Sequence, residues 1–273
     1  MFFVFKRNNF FWRITSFLNF FIKSLSQGKS RNVFIKKMLG SILKMDLKPG
    51  NYIKIEQVRN LLRGNPELIE LEQFGAGSFN KNPKEVQVKD IAEQSLSKPW
   101  QCKILFRLGR ETGAKTIIEL GTSLGISTSY LASLNHGSTV YTFEGSHVLT
   151  QYARVVFNSL NLNNIEISEG NFDTTLPEIL KKLPHVDFSF IDGNHTFEAT
   201  KKYFDWLVNK SSDHSVIVMD DIYWSKEMYR AWKEIIKHPK VKASINLYKF
   251  GIIFLNPKAA GHYKVFTKNL FDI

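Results

Sequence analysis

The stretch Ile117 to Thr128, IIELGTSLGIST, carries an apolar run into an acid and then through two glycines toward a second apolar run. Such a pattern builds a ligand loop. Gly121 permits a sharp turn after a strand, and Gly125 permits the next helix to pack close to the sheet, so that backbone N–H groups at the helix start face the ligand. A dinucleotide fingerprint, G-x-G-x-x-G, needs a bare glycine where pyrophosphate touches the chain, and Ser123 occupies that point here. The serine argues against pyrophosphate.

Further chemistry stands at the ends of other apolar runs. Glu144 follows TVYTF and is placed to accept hydrogen bonds from two ribose hydroxyls, with Gly145 next to it. Gly170, Asn171, Phe172 and Asp173 follow a third run, and there an aromatic face and a carboxylate suit an adenine ring and its amino group. VDFSFID ends in Asp192, followed by Gly193, Asn194 and His195, and SVIVMDD ends in Asp220 and Asp221. Three carboxylates at one rim repel, and a divalent cation such as Mg²⁺ would relieve that and acidify a substrate hydroxyl. The alternative is that Asp221 caps the next helix or that the aspartates bond loop amides. His195 can act as a proton acceptor near neutrality, or make a structural hydrogen bond at a helix start. Tyr223 and Trp224 offer an aromatic wall or ordinary packing. A ligand without phosphate, presenting an amino-carboxylate end and an adenosine, fits this set, and S-adenosylmethionine is such a ligand.

The elements that must hold these residues follow from periodicity. Candidate strands are Thr116–Leu120, Thr139–Phe143, Ile165–Ser168, Val186–Ile191 and Ser215–Met219, with amphipathic helices such as Phe197–Val208 between them. The expectation is a doubly wound, Rossmann-like α/β domain over residues 99–273 with a mostly parallel sheet, whose ligand site lies beyond the carboxyl ends of the strands. Ala243–Tyr248 and Gly251–Asn256 are separated by two residues, too few for a helical crossover, and are expected to pair as an antiparallel hairpin. Residues 46–98 read as a helical accessory region, with a helix over Ile55–Leu62 between turn signals at Lys48–Asn51 and Gly64–Pro66. Phe74–Pro83, FGAGSFNKNP, reads as a loop, either a lid or a connection.

The charge of +12 is uneven: Met1–Met45 holds nine Lys or Arg and no acid, which leaves 28 basic against 25 acidic residues in the remainder. A near-neutral body argues against a nucleic-acid groove. In the basic leader, residues 1–45, Phe10, Phe11, Ile14, Phe17, Leu18, Phe21, Ile22 and Leu25 recur at helical spacing, while Arg13, Ser16, Asn19 and Lys23 fall away. This helix suits either packing on its own domain or a partner, or a peripheral contact with an anionic membrane. Its longest uncharged run, Ile14–Ile22, is too short to span a bilayer. Cys102 is the only cysteine, so no intrachain disulfide forms and a reducing, cytoplasmic setting is expected, at the inner face of the membrane if the leader attaches there.

Taken together, ELGTSLGIST, TFEGS, DFSFIDGNHTFEATKKYF and VIVMDDIYWSKEMYRAW resemble class I S-adenosylmethionine-dependent methyltransferases, in particular the bacterial branch related to catechol O-methyltransferase, over about Pro99 to Asn256. The N-terminal part, with FGAGS, resembles the leader of methyltransferases of Bacteroidetes type. The resemblance implies that Glu119, Gly121, Thr122, Ser123 and Gly125 surround the methionine end of the cofactor. It places the ribose at Glu144 and Gly145, and the adenine at Asn171, Phe172 and Asp173. Asp192 borders the cofactor and, with Asp220 and Asp221, stands at the family's metal positions, while His195 takes the place of its catalytic lysine. The implied activity is methyl transfer to oxygen on a small-molecule or lipid-like acceptor, with a second copy of the chain as a further candidate partner. Two other readings stay open: a non-catalytic, membrane-attached cofactor-binding module, and a metal-dependent oxygenase or nicotinamide enzyme on a related fold.

Overall fold

A computed structural model describes residues 7–27, 30–43, 52–71, 84–134 and 137–266. The Lys48–Asn51 turn and the Phe74–Pro83 loop lie outside them. In chain order, the helices α1 (Arg7–Gln27), α2 (Val33–Leu43) and α3 (Ile53–Arg63) precede a small antiparallel pair, β1 (Leu68–Leu71) with β2 (Lys84–Gln87). Helices α4 (Val88–Gln94) and α5 (Pro99–Thr112) lead into the alternating domain. There β3 (Thr116–Leu120), α6 (Ile126–Ala132), β4 (Thr139–Glu144), α7 (His147–Ser159), β5 (Ile165–Glu169) and α8 (Phe172–Lys182) build one half. The other half is β6 (Val186–Ile191), α9 (Phe197–Lys210), β7 (Ser211–Met219) and α10 (Lys226–Ile235), completed by β8 (Ala243–Asn246), β9 (Gly251–Phe254) and β10 (Gly261–Lys264).

The eight-stranded sheet has the order β10-β8-β9-β7-β6-β3-β4-β5. From β3 the chain winds outward through β4 and β5, then returns to place β6 on the other side of β3, so the winding reverses between β3 and β6. Strands β3 to β7 are parallel, and β9 runs antiparallel to both β7 and β8, which is the expected terminal hairpin. Both sheet faces are covered. Along β7, Val216 and Val218 join one core while Ile217 and Met219 join the other, and in β3 Ile117 and Ile118 divide in the same way. That two-sided burial is why these strands read as continuous apolar runs.

The five predicted central strands all form, with β7 beginning four residues earlier than expected. Two features depart from the sequence reading. The accessory region contains the β1–β2 pair as well as helices, and β10 adds a parallel edge strand next to β8.

The leader helix requires a larger correction. Its packed side is Trp12, Ser16, Phe17, Phe20, Phe21 and Ser24, whereas Ile14, Leu18, Ile22 and Leu25 face outward. The expected single apolar face is therefore divided between two sides. Phe20 is buried against the hairpin, Phe17 meets Tyr248 edge-on at 5.1 Å, and the Tyr248 hydroxyl donates to the Arg13 carbonyl at 2.9 Å. Aromatic area on the domain surface draws the helix down on that side. Among the described residues, no helix is long and apolar enough to cross a membrane.

Candidate active site

The carboxyl ends of the strands open onto a cavity of about 660 Å³ at the reversal point between β3 and β6. Side-chain caps fix where the neighbouring helices start: Ser146 accepts from the Leu149 N–H, Asn171 from Asp173, Thr196 from Ala199 and Ser225 from Met228. Asp221, one candidate cap, is not the capping residue of α10.

Gly121 turns with φ 102°, and a Cβ there would stand 2.2 Å from the Asp192 carbonyl oxygen. Only glycine allows the ends of β3 and β6 to come this close. Gly125 is also tight, but a Cβ on it would strike Phe157 of α7 at 2.6 Å, so its close approach is to a helix rather than to the sheet. Ser123 holds φ 49° and its hydroxyl is buried with no hydrogen-bond partner among the described residues. Glu144 accepts from the Ser123 N–H at 2.8 Å and from the Ser146 N–H at 3.0 Å, which leaves lone pairs of both oxygens for a ligand. Burial raises its pKa, while the amides of Ser146, Ser123 and Gly145 favour the anion.

Of the expected cofactor residues, Gly121, Ser123, Glu144, Gly145, Asn171, Phe172, Asp173 and Asp192 line the cavity, and Glu119, Thr122 and Gly125 do not. Glu119 is fully buried behind the loop. It accepts from Thr128 and from Thr142 (2.8 Å), and burial pushes its pKa to about 7. Thr122 shares a 2.7 Å hydrogen bond with Thr142. Both residues therefore brace the loop. Asp173 accepts from the Tyr203 hydroxyl at 3.0 Å and pairs with Lys202 at 2.7 Å, and the Lys202 ammonium holds its carboxyl below the usual range.

The other end of the cavity gathers Asp192, His195, Asp220, Asp221 and Trp224, as the strand ends suggested. Tyr223 does not join them; it stacks on Tyr248 with ring centres 4.5 Å apart. Burial first, then Asp220 and Asp221, hold the Asp192 carboxyl well above the usual range, and burial with Asp221 pushes Asp220 up to about 7. Burial lowers the His195 pKa, so its ring is neutral near pH 7 and stands 3.7 Å from Asp192.

The expected metal set is not formed: among the described residues, no three His, Cys, Asp or Glu side chains are arranged to hold a metal ion. Other partners occupy these carboxylates. Lys249, from the β8–β9 turn, places its ammonium 3.5 Å from Asp221, and burial opposes its charge but the three aspartates prevail and raise its pKa. The Gln101 amide donates to Asp220 at 3.2 Å. Lys249, Gln101 and the Gln94–Lys98 connector, all cavity-lining, escaped the sequence reading because they come from outside the parallel strands. The connector is held from behind by the buried Arg59, which donates to the Ser97 carbonyl at 2.8 Å.

A family model described as a methyltransferase domain matches residues 118–222, the span from β3 to the Asp220–Asp221 pair. The protein-L-isoaspartate O-methyltransferase of Trichlorobacter lovleyi is 34% identical over 111 residues, covering 41% of this chain and 48% of that protein. The chain thus spans about half the length of that curated relative. An O-methyltransferase from Bacillus cereus in complex with S-adenosylhomocysteine aligns at 22% identity and TM-score 0.56, covering 81% of this chain and 96% of the other. A Podospora anserina methyltransferase bound to the same molecule aligns at 13% identity and TM-score 0.59, covering 83% and 97%. At these identities the structural likeness is one of fold.

Proposed function

We propose that this protein transfers the methyl group of S-adenosylmethionine to an oxygen nucleophile on a small-molecule or lipid-like acceptor. The observation that carries the reading is the cradle at the β3–β6 reversal, where Gly121 has no room for a Cβ, the Ser123 hydroxyl is buried without a partner, and Glu144 presents free lone pairs. Together these suit a polar ligand with an amino-carboxylate end at the loop and a ribose at Glu144. Asn171, Phe172 and Asp173 then receive the adenine. A cavity of about 660 Å³ has room for a nucleoside-sized donor and the reacting end of an acceptor.

When bound, the sulfonium supplies an electrophilic methyl whose C–S bond breaks as the C–O bond forms. The chain's own residues position and deprotonate. His195, kept neutral by burial, has a nitrogen lone pair to take the acceptor's hydroxyl proton. Lys249 balances the aspartate rim, and the Gln94–Lys98 connector walls the part of the cavity where the nucleophile would be held in line with the methyl group. The carboxylates do not fit a divalent cation, and no step depends on one.

Incubating the protein with methyl-labelled S-adenosylmethionine and fractionated cell extract tests this. Label is expected in a lipid or small-molecule fraction as a base-stable ether or a base-labile ester. Absence of label from every fraction, although the labelled donor binds, would favour the non-catalytic binding module.

A further inference from the structure

The α1 helix has two apolar sides, and among the described residues only one is packed. Trp12, Phe17, Phe20 and Phe21 face the domain, where Phe21 meets Phe266 at 5.0 Å and Trp12 stacks on Tyr223 at 6.3 Å. On the opposite side Ile14 (45% exposed), Leu18 (52%), Ile22 (65%) and Leu25 (70%) follow one another along successive turns. A helix anchored by one face yet carrying a second continuous apolar stripe is built to bury that stripe against something else.

We infer that this outward stripe docks on an anionic lipid bilayer, with α1 lying parallel to the surface. Charge selects this occupant over a second copy of the chain. Met1–Met45 carries nine Lys or Arg and no acid, so two copies meeting through this helix bring like charges together, whereas anionic headgroups complement them. The stripe covers about three helical turns and lies along one side of the helix, as in an interfacial helix that buries that side in the headgroup region. The packed side of the same helix borders the candidate active site: the Arg13 guanidinium lies over the Trp224 ring at 5.2 Å, and Trp224 lines the cavity. Membrane contact through α1 therefore holds the Trp224 end of the cavity one helix diameter, roughly 10 Å, from the bilayer surface.

Flotation of the full chain with vesicles of phosphatidylcholine alone, and of phosphatidylcholine with phosphatidylglycerol, tests it. The chain is expected to float with the anionic vesicles, less as salt rises, and poorly with the neutral ones. Replacing Ile14, Leu18, Ile22 and Leu25 together by Gln keeps helix propensity and leaves the packed side intact. This change is expected to weaken vesicle binding on the order of 100-fold while thermal stability and S-adenosylhomocysteine affinity stay unchanged. A second measurement uses Leu18→Cys carrying an environment-sensitive dye, selective because Cys102 is buried and its thiol pKa is pushed up to about 12. A blue shift on anionic vesicles supports the docking. Absence of flotation by the native chain, equal flotation by the four-Gln variant, no dye shift, or a dimer that the four-Gln variant dissolves would each overturn it. S-adenosylhomocysteine binding measured on the same samples separates failure of this inference from failure of the cofactor reading.

Discussion

The Cα of Gly121 faces the carbonyl oxygen of Asp192 so closely that a Cβ would stand only 2.2 Å from it. The first residue after β3 and the first after β6 thus share one narrow gap, at the place where the sheet's winding reverses. This contact sets the floor of the cavity, because any side chain at 121 must push the two strand ends apart.

Gly121→Ala is therefore expected to cost about 2–4 kcal/mol, the sum of a positive-φ penalty and a backbone clash, and to abolish S-adenosylhomocysteine binding. Gly113→Ala serves as the control, since Gly113 also has positive φ (64°) but nothing lies within 4 Å of its Cβ position. It is expected to cost about 1 kcal/mol and to leave binding intact. Thermal unfolding and calorimetry of both variants check the contrast, and equal effects would show that the Asp192 contact is unimportant.

Lys249 is expected to behave as the counter-charge of the aspartate rim. Lys249→Met leaves Asp192, Asp220 and Asp221 without their cation, so its melting temperature should fall below that of the native chain most strongly above pH 7, where the carboxylates are ionised. Because the pair is partly exposed, the loss is about 1–2 kcal/mol. In the same assay system, chelator is expected to leave methyl transfer by the native chain unchanged. Activity that disappears with chelator and returns with Mg²⁺ would restore the metal reading.

Glu119 makes a pH prediction. Its folded pKa, raised by burial to about 7, exceeds that of an unfolded glutamate, so the folded state binds the extra proton and stability from this group falls as pH rises through about 7. Glu119→Gln cannot ionise. Its melting temperature relative to the native chain should be higher at pH 8 than at pH 5, and a difference independent of pH would contradict the burial argument.

His195→Ala is expected to lower kcat by about 10²–10⁴-fold once an acceptor is in hand, while leaving S-adenosylhomocysteine affinity unchanged. Single-turnover methyl transfer with the native chain and the variant separates the proton-accepting role from a structural one, for which the thermal stability would fall instead.

The parts of the site at the ends of parallel strands were legible because the β-forming run of each strand stops at the rim, so the polar residue that ends it is a site residue by position. Asp192, Asp220 and Glu144 are of this kind. Lys249 was not legible: it stands in a hairpin turn, and nothing in LYKFG marks which way that turn projects. Ser97 sits in an accessory segment whose docking depends on the buried Arg59, a tertiary contact without a local signature, and Gln101 sits on the helix that follows it. The edge strand β10, GHYK, has no apolar alternation because it is half-exposed. For α1, apolar residues on both sides of the helix left its periodicity unable to say which side meets the domain.

Calorimetric titration of S-adenosylhomocysteine into the full chain tests the central claim most directly. One site per chain is expected, lost in Gly121→Ala and weakened at least ~10-fold in Glu144→Gln, which removes charge-assisted hydrogen bonds to the ribose. No binding at the highest soluble protein concentration, or binding that both substitutions leave unchanged, would contradict a methyl-donor site at the β3–β6 reversal.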